Sequence, residues 1–185
     1  MAKRPPVSAK CSTHYRAAHD AGPRALSEIT DVVMHCTQGA TAQAAASWFA
    51  NPDSAGSAHL CVDDAHCFRT LSDNRVPWAA PGANTQGVHI EMAGFAAWDA
   101  AMWWGRHRWT IERAAYKAAR YCHVYGIPPK FRKAADLKAG KHGVTTHAEC
   151  SKAFGGDHTD PGPLWPRRRF MRRVRAYYAQ MEAAT

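Results

Sequence analysis

The chain has 185 residues, with 24 Lys and Arg against 15 Asp and Glu, so its formal net charge is +9 at pH 7 with the 11 His neutral. That length fits one domain with one sizeable core, since domains commonly run ~100–200 residues. No stretch approaches the ~18 apolar residues of a membrane span, and Met1-Ala2-Lys3-Arg4-Pro5-Pro6 has no secretory-type apolar run behind it; a soluble protein made in the cytosol, with no membrane partner, is expected.

The positive balance favours an anionic partner without choosing among nucleic acid, a membrane surface and a bacterial wall. No helix-turn-helix or zinc-finger spacing supports nucleic acid. Cys11, Cys36, Cys61, Cys67, Cys122 and Cys150 are scattered and include no CxxC pair, which argues against a zinc ribbon or a thioredoxin-like site. Reduced thiols are the expectation.

In chain order, residues 1–27 read as an arm rich in Pro, Ala, Ser and charge, with at most one short helical turn. Residues 29–37 are β-branched and apolar and end near a His, which predicts a buried strand delivering His35 at its C-terminal end. A short helix follows to Phe49, with Thr41 as N-cap and Asn51-Pro52 closing it. Residues 57–62 and 66–71 are strand-length runs joined by Asp63-Asp64-Ala65, a hairpin pattern. Residues 74–84 contain Pro77, Pro81 and Gly82 and predict a loop.

Residues 85–92 return to strand alternation, with Val88, Ile90 and Met92 on one face and Gly87, His89 and Glu91 on the other. Residues 110–125 repeat apolar side chains at helical spacing until Gly126 and Pro128-Pro129 stop them. The stretch holding His147 and Asp160 is Gly-rich and reads as poor in structure. A last helix starts near Pro166, with Phe170, Val174, Tyr177 or Tyr178, and Met181 as its stripe. Arg167, Arg168, Arg169, Arg172, Arg173 and Arg175 form its basic face. The pattern predicts an α/β (α+β) single domain with a central mixed sheet flanked by helices.

Two imidazoles and a carboxylate on separate segments, His35, His147 and Asp160, make a candidate zinc site. Hydrolytic zinc takes three protein ligands and leaves a position where water reaches a pKa near ~7. Asp157 and His158 are alternatives for the third ligand.

Val32-Val33-Met34-His35-Cys36-Thr37, Ser57-Ala58-His59-Leu60, Val88-His89-Ile90-Glu91-Met92-Ala93-Gly94 and Thr159-Asp160-Pro161-Gly162-Pro163 occur in one order. Over roughly residues 28–180 the chain resembles the zinc-dependent N-acetylmuramoyl-L-alanine amidases of type 2, the AmpD-like and phage endolysin family that shares its fold with the peptidoglycan recognition proteins. The resemblance implies a peptidoglycan recognition protein-like catalytic domain over residues 28–182. It implies one Zn2+ per chain, held by His35, His147 and Asp160. Glu91 falls on the acidic residue of the central strand, as general base. His158 falls where a Lys is common, as oxyanion partner. His59 and Trp78 are the implied substrate contacts, although Trp78-Ala79-Ala80-Pro81-Gly82 lacks the His of the family's Trp-His-Ala-Gly motif.

The implied activity is cleavage of the amide between N-acetylmuramic acid and L-alanine in bacterial peptidoglycan. The implied role is that of a monomeric phage or prophage endolysin, held in the cytoplasm until holin-type release, with its basic last helix drawn to anionic wall polymers. A cytosolic muropeptide-recycling amidase and a non-catalytic peptidoglycan-binding module of the same fold are the alternatives.

Overall fold

The β-branched and alternating runs become one five-stranded sheet in the computed structural model, which describes residues 6–184. Its strands are β1 (Asp31–Cys36), β2 (Leu60–Val62), β3 (Cys67–Arg69), β4 (Gly87–Met92) and β5 (Val144–Thr146), in the order β3-β2-β4-β1-β5. All neighbours are parallel except β2 and β3, the expected antiparallel hairpin. Parallel neighbours require crossovers, which place helices over both faces and bury the central strands on both sides. Every residue of β1 is accordingly buried.

On one face, Val32, Met34, Val88, Ile90 and Met92 share a core with α2 (Arg108–Val124) and α5 (Arg167–Glu182). The predicted apolar face of α2, namely Ile111, Ala114, Ala115, Ala118, Ala119 and Cys122, is fully buried, and its small side chains let the helix lie close to the sheet. Phe170 and Val174 anchor α5 with no exposure, while Tyr177, Tyr178 and Met181 are partly buried. Each such anchor removes enough apolar surface from water to stabilise the fold by about 1.5–3 kcal/mol.

The basic face of α5 is less uniform than the sequence pattern implies. Arg173 Nε donates to Glu112 Oε2 at 2.7 Å and the Tyr177 hydroxyl donates to the same oxygen at 2.8 Å, which neutralises a carboxylate buried in α2. Arg167 and Arg169 lie 4.8 and 5.3 Å from the ring centres of Phe131 and Trp104. Arg168, Arg172 and Arg175 remain exposed.

The other face carries α1 (Ala42–Phe49), α3 (Ala134–Lys138) and α4 (His147–Phe154). The Thr41 hydroxyl accepts from Ala44 N at 3.1 Å, as an N-cap should. The stretch around His147 departs from expectation, because it forms β5 and then α4, whose N-cap hydroxyl is on Thr146. A three-residue strand is too short to show alternation, and it becomes a strand by pairing with β1 on one side and bridging to Phe131 on the other.

The arm supplies its expected single helical turn, a 3₁₀ turn at Leu26–Glu28. Its earlier part runs along the outer edge of β3, where Ser12 N donates to Cys67 O and Arg69 N donates to Ser12 O at 2.8 and 2.7 Å. This covers an otherwise open sheet edge. It also brings Cys11 to Cys67, and the two form a disulfide, which corrects the expectation of six reduced thiols. Cys36, Cys61, Cys122 and Cys150 are free and buried. No described helix is long and apolar enough to cross a membrane.

Candidate metal centre

The site is assembled by sheet register. In the parallel pair β1–β4, His35 stands beside Glu91, so both side chains leave the same face. In the pair β1–β5, Met34 stands beside Thr146, and the next step of that register sets His147 beside His35. Three adjacent parallel strands thus deliver Glu91, His35 and His147 at their C-terminal ends, where open α/β sheets build their sites. Asp160 arrives from the loop between α4 and α5. Its backbone carbonyl accepts from Ala148 N at 3.0 Å and its Oδ2 accepts from Cys36 N at 3.3 Å.

His35 Nδ1 and His147 Nδ1 are 3.2 Å apart, and they lie 3.4 and 3.1 Å from Asp160 Oδ2 and Oδ1 respectively. All three residues are buried. Ligands of tetrahedral zinc, with Zn–N and Zn–O near 2.0–2.1 Å, sit roughly 3.3 Å from one another, so the two imidazole nitrogens stand at zinc-ligand spacing with a different carboxylate oxygen of Asp160 facing each. Three groups able to offer lone pairs meet in a buried pocket, and a cation between them is what the donor set fits. The cluster is that of a single Zn2+ site.

Glu91 Oε1 is 4.0 Å from His35 Nδ1, and Glu91 Oε2 is buried with no hydrogen-bond partner among the described residues. Burial first, and then the negative charge of Asp160, push the Glu91 carboxyl up to about 8. Asp160 moves the other way. Burial works against its ionisation, but the adjacent imidazoles of His147 and His35 outweigh it and hold the carboxyl well below the usual range. Burial lowers the pKa of His35, partly opposed by Asp160. Two nearby carboxyls are therefore driven apart, one to remain charged and one able to carry a proton near neutrality. The neighbouring Cys36 thiol is pushed up to about 12 by burial and the two acids, and it stands outside the cluster.

The triad opens on a cavity of about 740 Å³ whose rim includes Phe49, Trp78 and His158. Trp78 is 43% exposed and stacks on His19 of the arm at 4.9 Å between ring centres. Its loop is held by Ser57, whose hydroxyl accepts from Trp78 N at 2.8 Å. His158 stacks on the ring of His147 at 3.9 Å, and its Nδ1 is 3.6 Å from Asp160 Oδ1. Exposed Asp157 lies outside the cluster, so among the acids of this loop Asp160 is the one beside both imidazoles.

His59 does not belong with the substrate-facing residues. It is fully buried behind His89, and burial followed by the charge of Arg24 lowers its pKa to about 3. Its Nδ1 accepts from the backbone N–H of His89 at 3.1 Å, which is a structural task. His89, to which the sequence pattern assigns no role, also reaches the site, with its Nδ1 2.9 Å from His35 Nε2. The signal was its place two residues before Glu91 on the same strand face. Burial, then His35 and His59, drive the pKa of His89 well below the ordinary value, so its ring is neutral.

The sequence pattern of the family described as N-acetylmuramoyl-L-alanine amidase matches residues 25–163. No curated protein matches the chain. Among solved structures, the chain is similar to Staphylococcus aureus hydrolase AmiA in complex with its ligand, at 18% identity and a TM-score of 0.76 over 98% of this chain and 87% of that one. It is similar to the N-acetylmuramoyl-L-alanine amidase LysC from Clostridium intestinale URNW at 15% identity and a TM-score of 0.58, over 91% of this chain and 99% of that one. A mutant of PlyL is similar at 15% identity and a TM-score of 0.64, again over 91% of this chain and 99% of that one. At these identities the likeness is one of fold.

Proposed function

Because the chain belongs to the N-acetylmuramoyl-L-alanine amidase family, we propose that it hydrolyses the amide joining the lactyl group of N-acetylmuramic acid to L-alanine in bacterial peptidoglycan. The observation that carries this reading is the convergence of His35 Nδ1, His147 Nδ1 and Asp160 within 3.1–3.4 Å of one another, beside a buried carboxyl in an open cavity. His35, His147 and Asp160 hold Zn2+ in this reading. When bound, zinc supplies Lewis acidity towards the scissile carbonyl and makes water nucleophilic near pH 7.

The chain's own groups do the rest. Glu91 accepts the proton of the attacking water and returns it to the departing L-alanine nitrogen, a shuttle that needs a carboxyl poised near neutrality. His158, on the open side of the site, donates a hydrogen bond to the oxygen that gains charge. The exposed ring of Trp78 offers an apolar face to the sugar.

The same proposal covers its finer parts. The mixed sheet with a site at its C-terminal edge supports a fold of the peptidoglycan recognition protein type. We assign the chain an endolysin role as a monomer that reaches the wall by holin-type release, and exposed Arg168, Arg172 and Arg175 support attraction to anionic wall polymers. The test is digestion of purified peptidoglycan with scoring of new termini. Zinc-dependent appearance of free L-alanine amino groups, abolished by chelation and absent in His35→Ala, is expected. New sugar reducing ends, or no new L-alanine termini, refute the reading.

A further inference from the structure

The ligand atom of His35 is selected from behind by a chain of buried groups that ends on a backbone carbonyl. His89 Nε2 lies 3.3 Å from the carbonyl oxygen of Ala83. A carbonyl only accepts, so this nitrogen carries the proton. A neutral imidazole has one N–H, which makes His89 Nδ1 an acceptor. The group facing that acceptor is His35 Nε2 at 2.9 Å, which must therefore be the donor. With its proton on Nε2, His35 turns an unprotonated Nδ1 towards His147 and Asp160.

His89 is fully buried, and the groups it faces among the described residues are His35, the ring of His59 at 6.0 Å and the Ala83 carbonyl. Its strand is held in place by the arm. Arg24 Nη1 donates to the carbonyls of Thr85 and Gly87 at 2.7 Å each, and His59 Nδ1 accepts from His89 N. Room for the ring comes from Gly87, where a Cβ would fall 2.5 Å from both His89 Nε2 and Ala83 O. A glycine thus opens the central strand β4 at the point where the imidazole meets its carbonyl.

We propose that His89 is a positioning residue for the metal centre, fixing the tautomer and ring orientation of His35 through the path Ala83 carbonyl, His89, His35. The proposal rests on the reading of His35 as a zinc ligand. Outer partners of this kind typically govern metal affinity by 10- to 100-fold. His89→Leu keeps bulk and removes the acceptor, whereas His89→Gln restores an acceptor oxygen.

Zinc affinity, measured by competition with a chromophoric chelator on the full chain, is expected to fall 10- to 100-fold in His89→Leu and to recover substantially in His89→Gln. Metal-free melting temperatures establish that each variant folds. Nitrogen-15 spectra of the imidazoles in metal-free wild type give a second readout that needs no variant, and protons on His35 Nε2 and His89 Nε2 are expected. A folded His89→Leu that binds zinc within twofold of wild type overturns the proposal, as does a wild-type His35 protonated on Nδ1. Failure of wild type to bind zinc would instead strike the reading of the site itself, which the nitrogen-15 result keeps separate.

Discussion

Replacing Glu91 by Gln tests the two properties that the structure gives this residue, a proton-accepting role and a pKa raised by burial. Gln has the shape of Glu and cannot ionise or take a proton. General-base catalysis typically contributes ~100- to 10,000-fold, so the zinc-loaded variant should lose activity by that factor, or about 3–5 kcal/mol of barrier at about 1.4 kcal/mol per decade. Stability of the metal-free protein should change in the opposite sense. The Glu91 carboxyl titrates at about 8 in the fold against an ordinary 4.5, so the fold prefers it protonated. Its contribution is fully present below pH 4.5 and is lost as pH rises through about 8.

Wild type therefore carries the cost of a buried carboxylate above pH 8, and Glu91→Gln does not. The distance from 4.5 to about 8, at about 1.4 kcal/mol per pH unit, bounds the difference at roughly 5 kcal/mol. Melting of the metal-free proteins from pH 5 to 9 should show matching curves in acid and a more stable variant in base. Saturating zinc should narrow the gap, because a nearby dication favours the carboxylate. Equal melting at every pH would refute the burial argument, and near-normal hydrolysis by the zinc-loaded variant would remove Glu91 from the proton path.

Three further perturbations probe the frame around the site. Cys11→Ser opens a link across 56 residues, and chain entropy places the loss at about 4 kcal/mol, read as a lower midpoint in urea that reductant reproduces in wild type. Arg173→Leu strips the main cation from Glu112, buried in α2, and should cost about 3–5 kcal/mol in thermal or urea unfolding; a loss under 1 kcal/mol, the usual range of a surface pair, would show the pair to be solvated. Joint replacement of Arg168, Arg172 and Arg175 by Gln should weaken lysis of whole walls and flatten its salt dependence while leaving turnover of a soluble muropeptide unchanged; collapse of muropeptide turnover would place these side chains in the site.

What could be read in the sequence depended on how far each contact reaches along the chain. His35 was legible because it closes a continuous β-branched and apolar run, and Glu91 because strand alternation fixes the face it leaves. Val144 to Thr146 gave no such signal, since three residues cannot display a period and their strand exists through pairing with distant segments, β1 above all. The disulfide failed for a related reason: Cys11 reaches Cys67 only after the arm has paired along β3, an event with no local spacing rule. His59 was misplaced because a motif gives residue order and not depth. Its ring points into the sheet's interior, towards His89, and not into the cavity. His89 carries the converse lesson. Its alternation with Glu91 was visible, but a histidine acquires a role from what stands at each of its two nitrogens. Those partners, Ala83 and His35, lie six residues away and 54 residues away. Only the packed fold brings both to one ring, so the groups that set the metal ligand's chemistry were written in the sequence without being readable from any window of it.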